Sequence, residues 1–216
     1  MASKKITKTD LMQALREAIV CGEFVAGTHL RLDELATKYD VSTMPIREVL
    51  GSLEAEGVVY SVPHRGSFVT RFSANELLDI FEMQATLEKM ATRDAIPHFT
   101  IKDFDFLQNI VDNWYTEGNN IVWLIQQNDQ FHQHIYKLAK RSHLYNEIMT
   151  LRSRTRHYLH SYITEMGHFK SGKQDHQDLI DAFKLGTPKL ASELIFEHVW
   201  DVGLSLANYV NEKASL

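Results

Sequence analysis

Residues 32–57 read LDELATKYDVSTMPIREVLGSLEAEG, and this stretch decides the fold of the first part of the chain. Its apolar spacing predicts a short helix over 33–39, which a polar turn ends. A second helix is predicted to begin at Ser42 or Thr43 and to end at Glu56, with a proline in its first turn, where a missing N–H loses no hydrogen bond. Two helices joined by so short a turn are typical of a helix-turn-helix.

The segments on either side predict the rest of a winged helix-turn-helix. A helix is expected from Thr9 to Cys21, with Thr9 or Asp10 capping its free N–H groups. Residues 58–62 and 67–70 are rich in β-branched and aromatic side chains, and the tetrapeptide PHRG joins them, which predicts a hairpin. In this layout one helix braces on the DNA backbone while the next presents its N-terminal turn to the major groove.

Everything after residue 72 has helical periodicity, so we expect an all-α antiparallel bundle behind the winged helix-turn-helix. A boundary near residue 72 divides the chain into one domain at 1–72 and a second at 73–216. The helices predicted in the second domain span 73–96, 101–116, 120–140, 142–166, 173–185 and 188–213.

The composition excludes several classes of protein. Hydrophobic residues make up 44% of the chain and charged residues 24%, which excludes wholesale disorder. No apolar run approaches the roughly 18–20 residues of a membrane-spanning helix, and the polar N-terminus lacks a signal peptide's apolar stretch, so we expect a cytoplasmic protein. Cys21 is the single cysteine, which excludes an intrachain disulfide and a thiolate zinc finger. The first 71 residues carry nine basic and nine acidic side chains, so charge alone does not indicate a nucleic-acid partner.

Four motifs in the first domain occur in an order that resembles a known family. They are G-x(4)-G-x-x-L at 22–30, DELA at 33–36, VSxxPIRExL at 41–50 and EGVV at 56–59. This order is similar to the DNA-binding domain of GntR-superfamily transcription regulators, and the downstream helices resemble the all-helical effector domain, called FCD, of the FadR-like branch. The resemblance implies a homodimeric repressor or activator that binds a palindromic operator through its first domain and a small metabolite through its second.

The residues expected to contact DNA depart from the family pattern at two positions. Thr43 stands where family members usually carry Arg, and Asp33 replaces an Arg found in some relatives. Arg47 is then the main candidate for base readout, because it lies off the apolar stripe of its helix and its fork fits guanine, although a nearby carboxylate is an alternative partner. Ser42 and Thr43 are candidates for phosphate contacts or plain helix caps. The hairpin tip is either a polar turn or a minor-groove contact made by His64, Arg65 and Gly66.

Histidines in the second domain form a candidate metal site. His176 and His198 lie on apolar helix faces and should point into the bundle, and Asn128 lies one turn before His132 on another helix. Through NDQFH, which is similar to the family's D-x-x-F-H motif, these four residues correspond to a metal set of one Asp and three His. The resemblance implies a divalent transition metal, with Zn, Ni, Mn and Fe not distinguished. Asn128 is a neutral, weaker ligand than Asp, so a metal-free pocket remains the alternative.

The resemblance also implies that open positions on this metal capture a carboxylate effector. Arg152 and Arg156 lie four residues apart on one helix face, so one of them can clamp an acid group, although a solvated face is the alternative. Gln84 stands where relatives often carry Arg, four residues before a Glu. Together with Asn128, this change favours a less anionic effector or one that is held differently.

Two other functions compete with a DNA-binding regulator. Three histidines with an open metal position also describe the catalytic zinc site of a metalloenzyme. The sequence lacks an H-E-x-x-H motif and a glycine-rich phosphate loop, so we do not expect an enzyme. A winged-helix protein-interaction module without DNA binding is favoured by the neutral charge of the first domain and by Asp33.

Overall fold

The chain forms two compact units, each with its own apolar core. The computed structural model describes residues 6–114, 121–167 and 171–214. The first unit contains the chain up to Arg71 together with Ser153–Tyr158, and the second contains Phe72–Arg152 and the chain from Leu159 onward. Within the described residues, every helix is too short or too polar to span a lipid bilayer.

The first unit is a winged helix-turn-helix. Its helices are α1 (Lys8–Val20), α2 (Leu32–Tyr39) and α3 (Thr43–Ala55), and its strands are β1 (His29–Leu30), β2 (Val59–Val62) and β3 (Gly66–Val69). The predicted helices and hairpin are confirmed to within one or two residues at each end. The sequence did not predict β1, which pairs antiparallel with β3 and makes a three-stranded sheet in the order β1-β3-β2.

The cap expected at Thr9 or Asp10 is wrong, because α1 begins earlier in the chain. Thr7 is the N-cap, and its side-chain oxygen accepts a hydrogen bond from the backbone N–H of Asp10 at 3.1 Å. The Asp10 carboxylate accepts in return from the backbone N–H of Thr7 at 3.2 Å. A threonine followed by an acid three residues later satisfies two free N–H groups at once, which makes Thr7 the better cap.

One face of α3 forms part of the core of the first unit. The predicted apolar stripe of this helix is buried and consists of Ile46, Val49, Leu50 and Leu53. It packs with buried residues of α1, including Leu11, Leu15 and Ile19. The opposite face of α3 therefore stays in solvent, and Arg47 lies on it.

The second unit is a helical bundle. Among the described residues its helices are α4 (Ala74–Ala95), α5 (Ile101–Asp112), α6 (Ile121–Leu138), α7 (Ser142–Thr164), α8 (Ser171–Lys184) and α9 (Pro188–Ala214). All six predicted helices are confirmed. A 3₁₀ turn at Ile96–His98 follows α4. The helix predicted at 101–116 ends at Asp112, whereas residues 115, 116 and 120 lie outside the described part of the chain.

The long helices α4 and α9 pack side by side, and a glycine allows their close approach. Gly203 of α9 is buried, and a Cβ atom added there would lie 2.3 Å from Cβ of Phe81 on α4. Phe81 is itself 2% exposed and has no room to move outward. Gly203 is therefore required by packing and not by its backbone conformation.

We expect Gly203→Ala to lower the free energy of unfolding by about 1–3 kcal/mol, because overpacking a dense core forces strain on its neighbours. Gly51→Ala is the matched control, since a Cβ at this exposed position of α3 has nothing within 4 Å. The control should gain about 0.5–1 kcal/mol from helix propensity. Urea unfolding followed by circular dichroism measures both, and equal stability of the two variants would contradict the packing argument.

Candidate functional site

Three helices of the second unit bring three imidazole rings together. His132 of α6, His176 of α8 and His198 of α9 each offer a ring nitrogen, and these nitrogens all lie within 4.8 Å of one another. His132 and His176 are each 2% exposed, while His198 is partly open. The three predicted histidines therefore meet at one place, and we call them the histidine cluster.

The helix faces that carry the cluster are apolar, which is why the rings point inward. On α8, Ile180 and Phe183 share the buried face of His176. On α9, Ile195 and Leu206 are fully buried near the face of His198. Phe131 packs its ring edge-on against His176, with ring centroids 4.6 Å apart. Because the apolar side chains on these helix faces are buried, the imidazole rings on the same faces also lie in the interior.

Burial keeps the imidazoles of the cluster neutral. Desolvation is the largest cause that lowers the pKa of His132 and of His176 well below the ordinary value of 6.5, and it lowers the pKa of His198 to about 4. The positive charge of Arg152 adds to this effect at each ring. A neutral imidazole is the form that binds a metal ion.

Asn128 joins the cluster through His176. Nδ1 of His176 lies 2.6 Å from the carbonyl oxygen of Gly172, which can only accept, so the ring proton is at Nδ1 and Nε2 has a lone pair. That lone pair faces Oδ1 of Asn128 at 3.1 Å. Two acceptors this close fit a cation bound by both, and without a cation the amide satisfies Nε2 by turning its NH₂ group toward it. The donor set therefore suits a transition metal.

Two of the three residues predicted to bind an effector, Gln84 and Arg152, instead contact one buried carboxylate. Glu88 is 0% exposed, and its Oε1 accepts from Nη1 of Arg152 at 2.9 Å and from Nε2 of Gln84 at 2.9 Å. The second amino group of Arg152 lies 3.6 Å from Asp129. Arg156 is half-buried and belongs to the part of α7 that groups with the first unit. The structure thus brings Gln84 and Arg152 together at Glu88.

Two residues of this buried network were missed in the sequence. Glu88 holds Gln84 and Arg152, and the hydroxyl of Tyr136 donates to its second oxygen, Oε2. Tyr136 also contacts Nδ1 of His132 at 2.9 Å. Gln84 and Glu88 lie four residues apart on α4, and His132 and Tyr136 lie four residues apart on α6. This spacing places each pair on one helix face, and it was the pattern in the sequence that could have indicated the two contacts.

An acidic groove of about 500 Å³ adjoins the cluster. His198 is the member of the cluster that lines it, next to Tyr162 and Ser205. The described residues of the lining include four carboxylates and no lysine or arginine, and these acids are Asp175, Asp178, Glu197 and Asp201. The groove gives access to His198 and favours cations over anions.

The first unit has its own groove of about 540 Å³, between α2, α3 and the sheet. Arg47, His64 and Gly66 line this groove, together with two cationic or ionisable residues that the sequence did not predict, His29 and Arg31. The acids Asp33 and Glu54 also line it, which gives the groove mixed charge. Three of the predicted DNA contacts are thus gathered on one surface.

The other predicted DNA contacts lie beside the groove lining. Ser42 is exposed and holds the N-cap position of α3 without a side-chain hydrogen bond to the helix. Thr43 is the first residue of α3, and Arg65 is exposed at the hairpin tip. Gly66 has an internal role as well, since its φ is +89° and a Cβ there would lie 2.7 Å from Nε2 of His29.

Comparison with known families gives two matches along the chain. The model described as bacterial regulatory proteins of the gntR family matches residues 7–69, and the model of the FCD domain matches residues 79–200. The second match alone covers more than half of the chain. The two matches follow one another in the order of the two structural units.

Curated relatives and solved structures agree with these matches. The chain is 37% identical over 91 residues to the HTH-type transcriptional repressor GlaR of Escherichia coli, over 42% of this chain and 41% of that protein. It is 27% identical over 134 residues to the Nta operon transcriptional regulator of Aminobacter aminovorans, over 62% of this chain and 64% of that protein. In both, the alignment spans less than two thirds of the relative's own length.

Among solved structures, E. coli McbR/YncC has a TM-score of 0.77 at 20% identity, with 96% of this chain and 98% of that one covered, and shows the same fold. A GntR family member from Pseudomonas syringae pv. tomato has a TM-score of 0.60 at 25% identity, covering 96% of this chain and 87% of that one.

We expect the metal-free protein to lose stability as the pH falls from about 6.5 to about 4. Unfolding frees the histidines of the cluster to bind protons in this window, whereas the folded protein keeps them neutral, so the unfolded state gains. Each histidine contributes at most about 1.4 kcal/mol per pH unit. Urea unfolding in the presence of a chelator at a series of pH values measures the slope. His198→Gln should reduce it and His143→Gln, at an exposed site, should not; equal slopes for both variants would contradict the assignment.

Proposed function

Because the chain belongs to the GntR family of transcription regulators and carries the FCD effector domain, we propose that a small carboxylate and a divalent metal, bound within residues 73–216, control operator binding by residues 1–72. The family consists of regulators and not of enzymes. The observation that carries the proposal is the convergence of three neutral imidazoles, His132, His176 and His198, in the FCD domain.

Operator binding is assigned to the exposed face of α3 and the groove beside it. Arg47 projects from this face and reads a guanine in the major groove, while Ser42 and Thr43 contact phosphates. His64 and Arg65 reach the flanking minor groove from the hairpin tip. The protein acts as a homodimer, whose two α3 helices enter successive major grooves of a palindromic site.

The metal is assigned to His132, His176, His198 and Asn128. The lone pair at Nε2 of His176, its 3.1 Å contact with Asn128 and the neutrality of all three rings support this set. Imidazole ligands suit Zn, Ni and Fe in their divalent states, and the amide oxygen of Asn128 also suits Mn. When bound, the metal supplies a Lewis-acidic position at which a carboxylate oxygen can bind.

The effector is assigned to the class of small acids with a single negative charge. Arg152 is already paired with Glu88 and Asp129, so it is not the primary receptor for an acid group. The four carboxylates of the groove beside His198 repel polyanions. Among acids, a monoanionic hydroxy acid or sugar acid is repelled least by these carboxylates, and the charge of a bound metal ion offsets its single negative charge.

If effector binding changes the affinity of the protein for the operator, operator binding must change its affinity for the effector by the same factor. This reciprocity requires no assumption about the direction of the response, and it gives a second way to measure the effect.

We expect Arg47→Ala to weaken binding to the operator by about ten- to a hundredfold, because a bidentate arginine–guanine contact contributes about 1–3 kcal/mol of base discrimination. A gel shift with DNA from upstream of the gene measures the loss. Arg141→Ala is the matched control, since Arg141 is an exposed arginine of the other unit that pairs with Asp94.

Both arginine variants should keep the dimeric mass of the wild type in light scattering. Wild-type binding should weaken as salt rises, since contacts with phosphates release counterions. If Arg47→Ala binds the operator with unchanged affinity, Arg47 does not take part in base recognition. No salt-dependent binding by the wild type favours the protein-interaction module instead.

We expect protein purified without a histidine tag to contain about one divalent transition metal ion per chain, whereas His176→Ala/His198→Ala contains almost none, because two ligands are lost. Elemental analysis measures the metal. Monoanionic acids should raise the melting temperature of the metal-loaded wild type and not of the double variant. His98→Ala/His143→Ala, at two exposed positions, is the control. Negligible metal in wild type and double variant alike would defeat the assignment.

A further inference from the structure

We propose that Tyr136 and Glu88 are positioning residues, which hold the ring proton of His132 at Nδ1 and so keep Nε2 available as a metal ligand. The inference rests on the metal site proposed above and deepens it. In this arrangement Gln84 and Arg152 do not bind the effector directly. Through Glu88, these two side chains support a ligand of the metal.

The hydroxyl of Tyr136 lies between a carboxylate and an imidazole, and its hydrogen bonds to the two have a defined direction. The hydroxyl of Tyr136 contacts Oε2 of Glu88 and lies 2.9 Å from Nδ1 of His132. An ionised carboxylate can only accept, so the hydroxyl proton is directed to Glu88. The hydroxyl oxygen is then an acceptor for His132, and the ring proton must be at Nδ1. The lone pair at Nε2 remains for the histidine cluster.

The carboxylate of Glu88 has hydrogen-bond donors at both oxygens, although it is fully buried. Its Oε1 accepts from the guanidinium of Arg152 at 2.9 Å and from the amide of Gln84 at 2.9 Å. Asp129 lies 3.6 Å from Nη2 of the same guanidinium, whereas Nη1 contacts Glu88. A buried charge without such partners would be neutralised or would destabilise the fold. The charge on Glu88 is therefore secured by α4, α6 and α7 together.

The hydrogen bonds between Glu88, Tyr136 and His132 are closed to water. Tyr136 and Glu88 are 0% exposed and His132 is 2% exposed, so water does not compete for these hydrogen bonds. In a dry interior each hydrogen bond is electrostatically stronger than in solvent, and a chain of them reinforces its members. Without the Tyr136 oxygen, the proton of a neutral imidazole is free to move to Nε2, where it blocks coordination.

Tyr136→Phe tests the inference, because it removes the acceptor for Nδ1 and keeps the ring. We expect about ten- to a hundredfold weaker binding of Zn²⁺, measured by competition with a coloured chelator, as is usual when a histidine ligand loses its supporting partner. Tyr209→Phe is the matched control, since this hydroxyl also donates to a carboxylate, Glu165, but at an exposed site. The control should bind Zn²⁺ as the wild type does.

A second measurement does not depend on the folding of a variant. Nitrogen NMR of the metal-free wild type should find the proton of His132 at Nδ1, whereas Tyr136→Phe should show a mixture of both tautomers. A proton at Nε2 in the wild type overturns the inference. So does equal Zn²⁺ affinity of the wild type and folded Tyr136→Phe. A wild type that binds no divalent metal overturns the proposed metal site. The tautomer of His132 is measured in the metal-free protein, so the two failures can be distinguished.

Discussion

Glu88 is a carboxylate in the helical bundle that has no access to water. Such a buried charge needs hydrogen-bond donors from the protein in place of water. Arg152, Gln84 and the hydroxyl of Tyr136 all donate to it, from three different helices. Two of these donors make a second contact, since Arg152 lies 3.6 Å from Asp129 and the Tyr136 hydroxyl lies 2.9 Å from Nδ1 of His132. The buried carboxylate of Glu88 therefore connects α4, α6 and α7, and removal of one of its donors would leave an uncompensated charge in the interior.

The same burial determines the chemistry of the cluster. Three rings that would titrate near neutral pH in water stay neutral, because the apolar faces of α6, α8 and α9 withdraw them from solvent. Asn128 adds no charge to this set, while the neighbouring Asp129 is turned toward Arg152 instead. The site is thus a neutral donor set beside a compensated ion network, and its exposed edge at His198 faces an acidic groove.

In the winged helix-turn-helix most of the candidate functional side chains are exposed, whereas those of the bundle are buried or half-buried. Burial of the apolar stripe of α3 leaves Arg47 in solvent, facing a groove of mixed charge. Within the wing, His29 stacks on Phe68 with ring centroids 4.6 Å apart and fills the space that a Cβ at Gly66 would need. A glycine expected to serve DNA binding thus has a structural reason to be there.

The sequence by itself determined the helices and their buried faces, because these features depend on 3.6-residue spacing along one segment at a time. Spacing also placed His176 and His198 on inward helix faces, whereas the resemblance to the FCD domain, and not spacing, implied that they meet His132. Only the tertiary structure decided that Arg152 pairs with Glu88, 64 residues away, and that β1 joins the sheet beside β3. Partners so distant in sequence leave no local pattern, since their distance is set by how whole helices and strands pack. For the same reason, spacing placed Arg152 and Arg156 on one helix face, and packing gave them different surroundings.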